Sequence, residues 1–168
     1  MHRTALGTIT AALTTSLVGS ALLTLSPTAA GAATTTHPER GLVVECTGKV
    51  AGQHVAVSLY ENSRYGNELQ VVFDHGDGPG KGRSQEAKLV RAGHVDTTIR
   101  VAQQAVRITG TAIRTQHVKR VRSTHEDTTA VGTHRRLSTD LEVTYRERTA
   151  PLDCDTAFRY RLQVTHAG

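Results

Sequence analysis

Ten cationic side chains in the second half of this chain, Arg107, Lys119, Arg120, Arg122, Arg135, Arg136, Arg146, Arg148, Arg159 and Arg161, are the residues whose type and distribution most invite chemistry. Residues 33–106 carry eight basic and eight acidic side chains, whereas 107–168 carry eleven basic and seven acidic, so the formal charge of +5 has its source late in the chain. Placed outward on neighbouring strands, these cations merge into one positive surface that attracts a polyanion or an acidic protein. The competing reading is a solvated face whose arginines pair with Glu142, Glu147 and Asp155. Nucleic acid is not the expected partner, because an exported chain rarely meets it and aromatic platforms for stacked bases are scarce.

Other groupings fall short of what their chemistry needs. Ser138, His134 and Asp140 have the residue types of a hydrolytic triad, yet a triad requires convergence in space, and no G-x-S-x-G elbow occurs. Asp153 and Asp155 bracket Cys154 and read as a solvated strand end. His117, His125 and His134 lack H-x-x-x-H or H-E-x-x-H spacing, so no metal is expected on them. The glycine-rich stretch His75–Ser84 is not a phosphate-binding loop: the first glycine would stand at 75, which is His75, and Gly82 replaces the Ser or Thr after Lys81. Asp74, Asp77 and Glu86 miss the calcium-loop spacing, because Gly76 occupies the second ligand position. No cofactor and no catalytic activity are expected.

Tyr60 and Tyr65 bracket a turn that holds Arg64, a composition suited to protein recognition because tyrosine supplies contact area at low entropic cost. The loops at 61–67 and 75–84 are therefore candidate contacts beside the basic face.

The elements that must position these groups are strands. Apolar and polar residues alternate at period two through Leu42–Cys46, Val55–Leu59, Leu69–Phe73, Val95–Val101, Val106–Ala112, Leu141–Tyr145 and Phe158–Val164, and no window after the N-terminal segment repeats at helical spacing. Val118–Thr124 is strand-like but basic, 125–127 turns the chain, Pro151 ends the element before it, and 75–84 is a surface loop too poor in side chains to join a core. Eight or nine antiparallel strands with one dry face make a small β-barrel, with a two-sheet sandwich as the alternative.

Residues 1–32 combine a basic start, an uncharged Ala/Leu/Thr-rich run and small residues at Ala30-Gly31-Ala32, the pattern of a cleaved secretory signal peptide. Residues 33–40 read as a flexible leader and 41–168 as one β domain, with no membrane span in the mature protein. Outside the cytoplasm the two cysteines, Cys46 and Cys154, are expected to pair. The layout resembles the bacterial inhibitors of C-type lysozyme, but their Ser-Gly-x-x-Tyr loop does not occur and Ser63-Arg64-Tyr65 does not replace it, so the likeness implies no residue role. The chain is thus expected to be a secreted, non-catalytic binding protein for an anionic surface or a protein partner. A small-ligand carrier with an apolar pocket inside the barrel is the alternative.

Overall fold

A computed structural model describes residues 33–74, 80–85 and 88–168. It holds nine strands: β1 (Thr35–Val50), β2 (Gln53–Asn62), β3 (Gly66–Phe73), β4 (Gly80–Gln85), β5 (Val90–Arg91), β6 (His94–Val101), β7 (Gln104–His125), β8 (Thr128–Tyr145) and β9 (Arg148–His166). Every pairing is antiparallel, in one sheet of order β4-β3-β2-β1-β9-β8-β7-β6-β5. The expected alternation builds this all-β architecture. Leu42, Val44, Val57, Leu59, Leu69, Val71, Val106, Ile108, Leu141 and Val143 line its inner face, and the Phe73 and Tyr145 rings meet there at 4.5 Å.

The sheet curls into a half-barrel. Its two ends approach where β4 crosses β6, and Gly82 is what lets them come close: a Cβ there would lie 2.7 Å from the Arg100 carbonyl oxygen. Glu61 fastens the same side, its Oε1 accepting hydrogen bonds from the Leu89 and Val90 amides at 2.9 and 2.8 Å. Opposite, Cys46 of β1 and Cys154 of β9 form the expected disulfide, closing a separation of 108 residues.

Several elements depart from the sequence reading. Residues 80–84, expected in a loop, belong to strand β4, because a sheet needs backbone partners and a tight crossing favours a residue without a side chain; residues 75–79 lie outside the described residues, as does 1–32, the segment expected to be a signal peptide. Strand order begins at Thr35 rather than Gly41, so most of the leader pairs with the end of β9, from Thr35↔His166 to Arg40↔Arg161. Thr128–Asp140, which no alternation announced, is the first part of β8. Pro151 does not end an element but sits inside β9 opposite Glu142; β1 pairing begins only at Leu152, so a missing N–H there leaves no ladder bond unmade on that open edge.

Two-residue turns join β1 to β2, β5 to β6, β6 to β7, β7 to β8 and β8 to β9, and two of them hold both residues in left-handed backbone without glycine: Ala102-Gln103 (φ 47° and 68°) and Arg146-Glu147 (φ 49° and 61°). Such turns suit the twist of a hairpin but are strained for residues with a Cβ. Replacing Arg146-Glu147 by Asn-Gly is expected to raise stability by about 1 kcal/mol, seen as a melting temperature higher by roughly 3–5 °C. An unchanged or lower melting temperature would show that the turn stores no such strain.

Candidate anion-binding face

Four strands run past the core. The N-terminal part of β1, the C-terminal parts of β7 and β9 and the N-terminal part of β8 form an arm of sheet in which directly opposed residues share a face. On the face continuous with the core, four rows follow one another. Leu42, Arg159, Arg135 and Val118 form the first, Arg40, Arg161, Thr133 and Arg120 the second, Pro38, Gln163, Val131 and Arg122 the third, and Thr36, Thr165, Thr129 and Thr124 the last. Threonine pairs confirm the alignment of the end row, with Thr36 to Thr165 at 3.0 Å and Thr124 to Thr129 at 3.3 Å. Arg114 follows Ala112 on the same inner side of β7 and brings the total to seven arginines.

Five of them, Arg40, Arg114, Arg135, Arg159 and Arg161, line a cleft of about 500 Å³. Among the described residues the ion pairs are His37–Glu39, Arg83–Glu68 and Arg107–Asp96, none of which involves these seven. Half-buried Arg159 has its guanidinium pKa lowered by loss of water and by Arg114, while Glu61 pulls the other way. Six of the seven are exposed, and Val118 and Val131 stand among them 45% and 46% exposed. Like charges gathered beside apolar surface favour a ligand that brings counter-charge.

The cleft wall is held by a hydrogen-bonded corner on the reverse side of the arm. The Tyr160 ring crosses over Gly41, where a Cβ would lie 1.8 Å from the Glu61 carbonyl oxygen and 2.5 Å from the phenol oxygen. Its hydroxyl donates to that carbonyl at 3.1 Å, and burial, with the neighbouring Tyr60 hydroxyl, pushes its pKa far up, so it stays a donor at every ordinary pH. Asn62 donates to Tyr60 Oη at 2.8 Å and to Glu39 Oε2 at 3.0 Å, while its Oδ1 accepts the Arg64 and Tyr65 amides. Burial opposes ionisation of Glu39, yet Asn62 and His37 outweigh it and hold the carboxyl below its ordinary value. The β2–β3 turn is thereby pinned beside Arg40, whose backbone exchanges hydrogen bonds with Ser63.

Of the residues singled out in the sequence, Arg120, Arg122, Arg135, Arg159 and Arg161 meet on this face. Arg136 does not, because adjacent strand residues point to opposite sides and Arg135 takes the inner one. Arg107 lies far down β7 and forks onto both oxygens of Asp96 at 2.9 Å. Arg146 sits in the β8–β9 turn against the Tyr145 ring, on the order of 35 Å along β8 from Arg135. Tyr60 is engaged in the corner, and Tyr65, 63% exposed with the Arg64 guanidinium 6.0 Å from its ring centre, is open at the turn. Arg40 and Arg114 were missed by sequence reading. Arg114 was recoverable from its place two residues after Ala112; Arg40 was hidden by the leader assignment.

His134 stacks on Phe158 at 4.1 Å, and among the described contacts no hydrogen bond joins it to Ser138 or Asp140. Comparison of the chain with known protein families, with curated proteins and with solved structures finds no match.

Proposed function

We propose that this chain is an exported, non-catalytic binding protein that holds a linear polyanion of the cell envelope on the arginine face of its arm. The observation that carries the reading is the gathering of seven arginines, none of them in an ion pair among the described residues and only Arg159 sensing a carboxylate, that of Glu61, on one face that contains a cleft. Arginine suits the task, since its planar fork pairs with phosphate or carboxylate oxygens two at a time. The disulfide and the lack of any helix long and apolar enough to cross a membrane, among the described residues, are compatible with export through the N-terminal signal segment.

A surface site is favoured over an interior carrier pocket because Leu42, Leu59, Leu69, Phe73 and Ile108 are all fully buried in the space a carrier would leave open. Titration calorimetry with sodium polyphosphate tests the proposal. Binding is expected at about 50 mM salt and should weaken by at least tenfold at about 300 mM, as counter-ions and screening compete with the arginines. Absence of binding at the lower salt, or an affinity indifferent to salt, overturns it. Retention of an acidic protein from culture medium in place of polyphosphate would move the assignment to a protein partner.

A further inference from the structure

A second site stands on the opposite side of the arm, where the sheet splits. Register shifts between Glu45 and Thr47, between Arg114 and Val118, and between Arg136 and Leu141 fall in one band across four adjacent strands. Between the pairs Arg136↔Phe158 and Leu141↔Leu152, residues 137–140 of β8 and 153–157 of β9 are not paired with each other. The Cys46–Cys154 bond ties the parted segment of β9 to β1, away from β8. A recess of about 720 Å³ results, within the size range of small-molecule sites. Irregularities of this kind cluster near functional sites because they interrupt pairing and re-aim side chains.

We infer that this recess binds a small hydroxylated oxyanion, a phosphorylated or carboxylated sugar. Lys119 and Arg136 on its wall supply cations for the oxyanion, and Asp155, Ser138 and Thr156 supply acceptors and donors for sugar hydroxyls. The stacked His134–Phe158 pair adds a flat wall for the C–H face of a ring. This mixture argues against other ligands. An apolar molecule would strand the cations and hydroxyls without partners, and a bare anion would face Asp155 across a largely vacant space. The lining side chains Lys119, His134 and Arg136 alternate with Arg120 and Arg135, so the recess and the arginine face lie on opposite sides of the same strands, meeting only where Arg135 donates to the Thr115 carbonyl at 3.3 Å.

Amide NMR titration of the purified protein tests the assignment, with glucose 6-phosphate, glucuronate, glucose and inorganic phosphate added separately. Saturable shifts at Ser138, Asp155 and Thr156 are expected for at least one of the first two, with glucose and inorganic phosphate at least tenfold weaker; which of the two sugars binds identifies the oxyanion. Lys119→Gln and Asp155→Asn, both near-isosteric changes at exposed positions, should each weaken that binding about tenfold, whereas Arg120→Gln with Arg161→Gln on the other face should leave it unchanged. Failure of both sugars to saturate, equal binding of inorganic phosphate, or indifference to both recess substitutions overturns the inference.

Discussion

Replacement of Cys46 and Cys154 by alanine is expected to lower stability by about 3–5 kcal/mol. Closing a chain separation of 108 residues restricts the unfolded ensemble strongly, and the cross-link acts where the sheet is weakest. At that height β8 and β9 are not paired, and the β1–β9 ladder is interrupted at 154–155, so without the link residues 153–157 of β9 are held by one broken ladder alone. The core offers limited compensation, being built mostly from Val, Leu and Ile in a chain with two Phe and no Trp. Urea unfolding followed by circular dichroism should show a lower midpoint for the double alanine variant. Hydrogen exchange should quicken first in β9 near residues 152–158. A midpoint unchanged from the disulfide-bonded protein would mean that the ladders alone hold the band together.

Neutralising the arginine face should abolish most polyanion binding without unfolding the chain. Arg120, Arg135 and Arg161 are exposed and project from three different strands, so substitution by glutamine removes charge with little loss of packing. At about 1 kcal/mol for each cation near an anionic surface, the triple variant should bind polyphosphate roughly a hundredfold more weakly. The informative control removes the same charge elsewhere. Arg100, Arg146 and Arg148 lie in or beside the β6–β7 and β8–β9 turns, away from the arm, and their triple glutamine variant has the same net charge as the first. Expected is a loss of no more than about threefold, the share due to long-range attraction. Equal loss in both variants would mean that net charge alone, and no site, draws the polymer.

How much of this was legible beforehand depended on whether a residue faces the core. Leu42–Cys46, Val55–Leu59 and Val95–Val101 announce themselves because burial of one side forces alternate residues to be apolar. Thr35–Arg40 and Thr128–Asp140 carry no comparable signal: most of the arm meets solvent, and their strand identity comes from ladders with β9 and with each other's neighbours. The same reasoning separates the arginines. Arg135 and Arg136 are equivalent as text, and only register assigns the first to the cleft and the second to the recess.

From the sequence alone followed a β-rich chain, its turns between Tyr60 and Tyr65 and at 125–127, one pairing of its two cysteines, and an excess of positive charge in its second half. These are local or compositional properties, set by side-chain period, by turn chemistry and by counting. Tertiary structure decided that four strands outrun the core, that seven arginines converge on one side of them, and that three register shifts align to part the sheet. Such features depend on which residues lie opposite one another across strands distant in the chain, and a one-residue change of register would send every one of those side chains to the other face.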